Sequence, residues 1–355
     1  MSLFKRKEKA TGEILSGGES AIANKEVEGL SQGQIVRRRF FRHRAAVGAL
    51  VILTSLILFV MTALETKIGP LRIPGWWKWT TEDIPELRFE DCPGGTTGCP
   101  TLSLMPGSSF GLGTHPFGQD DIGRDYFALV MNGARRSLMI MFVIGAVAGF
   151  IGVVVGSLAG FYGKMVDATL MRLVDFIQTV PTIIIAAVIG KAAGKVGPLY
   201  LALFLGILGW TGLARLVRAQ FLSLREMEFV DAARVAGASN VRIAFKHILP
   251  NAVGQIIVAV TLIMAGAILT ETALSYLGFG VVAPDVSLGL LISQYESSFT
   301  TRPWLFWWPG LFIISIALCV NFIGDGLRDA FDPRQRRRIT KKDRLQAKVQ
   351  AKAGA

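Results

Sequence analysis

SLMIMFVIGAVAGFIGVVVGSLAGFY, residues Ser137–Tyr162, runs for 26 positions without a charge. At 1.5 Å per residue a helix of that length reaches about 39 Å, more than the ~30 Å hydrocarbon core of a bilayer. Gly145, Gly149, Gly152, Gly156 and Gly160 recur every three or four residues within it. That spacing puts them on one stripe of a helix, where small residues let a neighbouring helix approach closely in lipid. The segment is predicted to be a membrane span packed inside a bundle.

Working outward, five more stretches are long and apolar enough to cross, or nearly so: Ala45–Leu64, Ala168–Gly190, Val196–Ala214, Asn251–Thr270 and Pro303–Gly324. Ala45–Leu64 starts too far from the N-terminus for a cleaved signal peptide and reads as a permanent anchor. Six spans make an all-α integral membrane protein. The composition agrees: 51% of the 355 residues are hydrophobic and the mean hydropathy is +0.46, above what a water-facing surface permits.

Charge sets the orientation. Net charge is +12; the first 44 residues hold 10 Lys/Arg against 5 acids and the last 31 hold 10 against 4. The positive-inside bias puts both ends in the cytoplasm, beside anionic lipid. The Arg215–Asn251 connection, 6 basic against 3 acidic, joins them there, while Glu65–Arg136, 7 against 9, faces outward. The chain divides into a disordered N-terminus (1–30), an N-terminal segment with the first span (31–64), an extracytoplasmic segment (65–136), a core of five spans (137–324) and a basic cytoplasmic tail (325–355). Basic ends of this kind point to lipid and not to nucleic acid, since no stacking aromatics or groove-reading helix accompany them.

The cytoplasmic connection reads LREMEFVDAARVAGASNVRIAFKHILPN, Leu224–Asn251. Arg225–Ala236 are good helix formers, Gly237 suits a left-handed C′ position, and Ser239 or Asn240 can cap a second short helix to about His247, with Pro250 ending it. Phe229, Ala233, Val235, Phe245 and Ile248 supply apolar contacts. Such an element either docks a cytoplasmic partner or packs under its own bundle.

DAARVAGASNVRIAFKHILP, Asp231–Pro250, resembles the EAA loop of ABC importer permeases: Asp231, Ala232, Ala233, Gly237, Leu249 and Pro250 fall at the motif positions, with Asp231 where Glu is usual. HPFGQDDIGRDYFALVMNGARRSL (His115–Leu138), ETALSYLGFG (Glu271–Gly280) and GDGLRDAFDP (Gly324–Pro333) are similar to segments of the dipeptide/oligopeptide branch, second-permease type. Leu288 and Tyr276 depart from that pattern, where Trp and Phe are common. The resemblance implies a MetI-like bundle of six spans whose EAA loop is a coupling helix. Asp231, Ala232, Ala233, Gly237, Ala238 and Pro250 would carry the coupling, with Asp231 retaining the charge and capping role of Glu. It also implies the partners: a homologous second permease, two ATPase subunits or domains that hold the ATP and Mg²⁺, and an extracytoplasmic substrate-binding protein. The substrate class would be peptides. This chain has no GxxxxGK[ST] loop and would need no cofactor of its own.

Other residues carry open alternatives. Asp175 can serve the pathway or pair with Arg172 on one helix face. Pro181 can hinge its span or shape it. Glu271 can line an outer vestibule or bond Thr270, Thr272 or a backbone amide. Trp76, Trp77 and Trp79 can lie at the membrane interface or in a packed outer subdomain. The segment Leu277–Trp304 is too short and polar for a span and reads as a re-entrant lip. Asp325, Arg328, Asp329 and Asp332 are expected to pair locally. Cys92 and Cys99 can form a disulfide in an oxidising space, and with three scattered His no metal site is expected. Two rival functions are an ion-coupled secondary transporter or channel using Asp175 and Glu271, and a membrane enzyme using His115, Asp120, Asp121 and Asp125.

Overall fold

The long uncharged run does form a helix, but a longer one than its apolar stretch. In the computed structural model, which describes residues 32–68, 71–87, 97–102 and 113–332, the helix covers Tyr126–Tyr162. Asp125 caps it, Oδ2 accepting from the Ala128 N–H at 2.9 Å. Gly163, at φ +63°, ends it.

In chain order the helices are α1 (Gln32–Arg42), α2 (Arg44–Ala63), α3 (Tyr126–Tyr162), α4 (Lys164–Thr179), α5 (Thr182–Val196), α6 (Pro198–Gly209), α7 (Thr211–Arg225), α8 (Glu228–Val235), α9 (Asn240–Tyr276), α10 (Leu288–Tyr295) and α11 (Trp304–Phe331). A short antiparallel pair, β1 (Thr66–Ile68) and β2 (Leu71–Ile73), follows α2, with Thr66 opposite Ile73. Among the described residues, four helices (α2, α3, α9, α11) are long and apolar enough to cross a membrane. Two bent pairs complete the six: α4 with Thr182–Lys191 of α5, bent by 74°, and α6 with α7, bent by 42°. The larger bend sits at Val180–Pro181, where proline removes an N–H and forces the preceding residue extended (Val180 φ −93°, ψ 130°).

The glycine stripe of α3 serves two neighbours. A Cβ on Gly149 would stand 3.3 Å from Val260 of α9. On Gly152 and Gly156 it would stand 2.8 and 2.7 Å from Leu213 and Val217 of α7. Side chains at these positions would force the helices apart, at a cost of about 1–3 kcal/mol each. Near the N-terminal end of α3, Phe117 stacks on Trp308 at 3.9 Å and Trp77 and Phe127 join the same core. Trp77 donates to Asp125 at 2.7 Å, Trp79 stacks on His115, and Trp76 stays half-exposed on Phe59. The packed outer subdomain is therefore the better description of Trp77 and Trp79.

Several expectations change. Helix α3 starts at Tyr126, upstream of the uncharged run, and its Arg135 reaches back to the Met61 and Leu64 carbonyls at the end of α2 (3.1 and 3.0 Å). Pro250 does not end a helix: α9 runs through it. A π-helical turn at Ile243–Ile248 widens the backbone just before the proline, and Asn251 Nδ2 donates to the His247 carbonyl at 2.7 Å. Asp329 pairs with His43 (3.4 Å), not locally. The expected N-terminal disorder (1–30), the tail from 333 and Cys92 lie outside the described residues. Cys99 is disulfide-bonded.

Candidate functional site

Helix α8, its turn and the start of α9 form an elbow. The turn is a Schellman motif: Gly237 N–H donates to Arg234 O (2.9 Å) and Ala238 N–H to Ala233 O (3.0 Å), with Gly237 at φ +77°. Ser239 then caps α9, its hydroxyl accepting from Arg242 N–H. Asp231 does not cap α8: Met227 holds that position without a side-chain bond, and Asp231 pairs with Arg234 at 3.0 Å.

The elbow has two faces. Val230, Ala233, Ile243 and Ile248 are buried against Phe161, Leu213, Val217 and Phe221 under the bundle. Val235 (90% exposed), Val241 (61%) and Phe245 (61%) point away from it, with Met227 and Phe229 beside them. The apolar residues read together in the sequence thus divide: Ala233 and Ile248 inward, Phe229, Val235 and Phe245 outward. Ala232 and Gly237 are exposed at the tip, Ala238 is half-buried beside Gly237, and Pro250 lies beyond the Ile243–Ile248 turn.

The elbow continues from α7, and α7 is fastened to α4. Asp167 pairs with Arg218, Oδ2 accepting from Nη2 at 2.6 Å. Asp175 pairs with Arg215 at 2.6 Å, and Gln178 donates to Thr211 at 3.0 Å. Val174 packs beneath them on Trp210 and Ala214. Asp175 therefore bonds across to another helix and not to Arg172, a pairing that local spacing could not reveal. Arg225 closes the lower end by donating to the Phe161 carbonyl at 3.2 Å. Pro181 sits at the bend directly beyond these contacts.

Glu271 is fully buried. It accepts from Ser275 at 2.8 Å and Ser137 at 3.0 Å, not from Thr270 or Thr272. Ser137 also accepts from the Leu288 N–H (3.3 Å) and Ser275 from the Val281 N–H (3.1 Å). The carboxyl thus ties α3 and α9 to the segment that leads into α10, the proposed lip.

The outer acids are engaged as well. Asp120 accepts from Arg124 (2.6 Å), the Arg124 and Ile122 N–H groups and Tyr295 (3.1 Å). Burial lowers the Arg124 guanidinium more than any single contact raises it, but the bond to Asp120, the Asp120 charge and the Tyr295 hydroxyl together hold it above its ordinary value. Burial and the charge of Asp120 raise the Tyr295 phenol. His115 bonds Asp125 at 2.8 Å, and Asp121 pairs with Arg302 at 2.5 Å. These bonds join the 113–125 segment to α10 and to the turn that leads into α11. Among the described residues no cluster of His, Cys, Asp and Glu could hold a metal.

Residues 152–337 match the family model of the binding-protein-dependent transport system inner membrane component. Residues 31–71 match the N-terminal TM domain of oligopeptide transport permease C. The oligopeptide transport system permease protein OppC of Escherichia coli (strain K12) is 37% identical over 311 residues, 88% of this chain and 94% of that protein. The OppC protein of Mycobacterium bovis is 37% identical over 307 residues, 86% and 96%. That of Haemophilus influenzae is 35% identical over 315 residues, 89% and 93%. A solved inward-facing MetNI methionine ABC transporter chain aligns with a TM-score of 0.47 at 21% identity, covering 57% of this chain and 96% of that one. With matches over this much of its length, the chain belongs to the family of binding-protein-dependent transport system inner membrane components, in the oligopeptide permease C branch.

Proposed function

We propose that this chain is one of two homologous permeases in an ATP-driven importer of oligopeptides, and that the α8–α9 elbow is its coupling surface. The observation that carries the reading is the outward apolar tip formed by Val235, Val241 and Phe245, on a turn whose other face is locked into the bundle. Two ATPase subunits bind ATP and Mg²⁺ in the cytoplasm, and one of them receives this tip. An extracytoplasmic binding protein delivers peptide to the opposite face, and both termini are cytoplasmic. The oligopeptide substrate is taken from what the relatives are named for.

Force at the elbow has two routes inward. One follows α9, continuous for 37 residues. The other passes through α7 to α4 by the Asp167–Arg218, Asp175–Arg215 and Gln178–Thr211 contacts, and so to the bend at Pro181. To move the pathway from 1:99 to 99:1 between its two access states, ATP binding must favour one by ~5.5 kcal/mol. The test is co-purification from native membranes. Wild type is expected to bring down a second permease and ATPase subunits, and Val235→Asp with Phe245→Asp to lose the ATPases while keeping the permease partner. If the doubly substituted chain retains its ATPases, the tip is not the coupling surface.

A further inference from the structure

The importer reading leaves α1 unused. Its sequence, QGQIVRRRFFR, ends one residue before the first span helix, and the interval 32–44 holds Arg37, Arg38, Arg39, Arg42 and Arg44 with no acid. One residue, His43, separates α1 from α2; its Nδ1 accepts the Ala46 N–H at 3.1 Å. The helix is therefore placed at the edge of the bilayer by the span that follows it.

The two faces of α1 differ. Val36 and Phe40 pack on Ala46, Leu327 and Ala330, and a Cβ on Gly326 would stand 3.4 Å from Phe40. His43 pairs with Asp329, and Arg39 donates to the Asp332 carbonyl at 3.1 Å. The end of α11 thus meets the inner side of α1 and the residue that follows it. The other face carries Arg37, Arg38 and Arg42, and Arg44 opens α2 just past it; all four are exposed and, among the described residues, in no ion pair. Phe41 lies between them, 57% exposed, with the Arg37 guanidinium 6.0 Å from its ring centre.

We propose that this face of α1 binds the headgroups of anionic phospholipids, with Phe41 set into the acyl boundary. Four exposed guanidiniums next to a span, none in an ion pair among the described residues, attract a negative surface. Each presents a planar fork that matches a phosphodiester. An exposed aromatic ring among basic residues is the pattern of a helix lying in the interface. The inner face fixes the helix to α2 and α11, so the arginines are presented in a set arrangement and the lipid would join the ends of the first and last spans. This inference is independent of the coupling reading, because α1 shares no residue with the elbow.

The experiment uses the full-length complex purified in mild detergent. It is incubated with phosphatidylglycerol or with phosphatidylcholine, and retained lipid is counted by native mass spectrometry. Wild type is expected to retain phosphatidylglycerol selectively. The variant R37Q/R38Q/R42Q/R44Q should lose that selective retention by about two to three orders of magnitude, four arginines at roughly fivefold each near a surface. R37K/R38K/R42K/R44K should keep most of it, which separates headgroup attraction from a folding defect. A nitroxide on Phe41→Cys should be more accessible to oxygen than to a water-soluble nickel complex in phosphatidylglycerol nanodiscs. Equal retention of both lipids by wild type, or undiminished phosphatidylglycerol on the glutamine variant, would overturn the proposal. So would loss of ATPase subunits from that variant with lipid retention unchanged, which would make α1 a protein-docking face.

Discussion

At Gly237 the backbone sits at φ +77° and the space a Cβ would fill is empty, so the need for glycine is conformational and not steric. Asn tolerates that region, Ala enters it at about 1–2 kcal/mol, and a β-branched residue fits it worst. ATPase co-purification should therefore fall in the order Gly, Asn, Ala, Val at this position, with Gly237→Val the weakest. A uniform loss across the three would mean that size decides instead. Gly237 was legible in the sequence because the signal is local: helix formers, then glycine, then a capping serine. The partners of Asp175 and Glu271 were not, since Arg215 is 40 positions away and Ser137 is 134. Residue spacing along one helix pointed to Arg172, and only the packing of α7 on α4 places a nearer cation.

Helices as elements were easier to read than their ends. The apolar length of each span was visible, because lipid demands about 20 such residues. What followed from tertiary contact was not. α3 extends upstream because Arg135 and Asp125 find partners in α2 and the outer segment. α9 passes Pro250 because a wider turn makes room for it. The bend at Pro181 yields its own prediction. Pro181→Ala restores a helical N–H, so nitroxides at Leu173 and Val188 should move apart as α4 and α5 straighten, with slower peptide uptake. An unchanged distance would assign the 74° bend to packing. The outer segment yields another. We take Cys92 as the partner of Cys99; a bridge closing eight residues is worth about 2.5 kcal/mol. Cys92→Ser should speed protease cleavage of the outer segment while ATPase co-purification stays at the wild-type level; unchanged cleavage would remove that pairing.

The whole molecule is organised by where its charges sit. Basic residues gather at the ends and at the elbow, and acids outnumber them in the outer segment, which fixes the proposed orientation without reference to any contact. Maleimide labelling tests it. Ser239→Cys in the elbow should react only after cells are permeabilised, and Asp121→Cys in the outer segment should react in intact cells. The opposite pattern would invert the molecule and remove the coupling reading with it.

The π-helical turn at Ile243–Ile248 has a consequence for how this family can change length. An i→i+5 turn holds one residue more than the α-helix around it needs. Deleting one residue there would turn it into ordinary α-helix and leave the faces of Asn240 and of the span beyond Leu249 in nearly their present phases. A deletion at any other point of the same 37-residue helix would rotate everything past it by about 100°, carrying the elbow off its seat. This turn is thus the one place in α9 where a codon can be lost without loss of register.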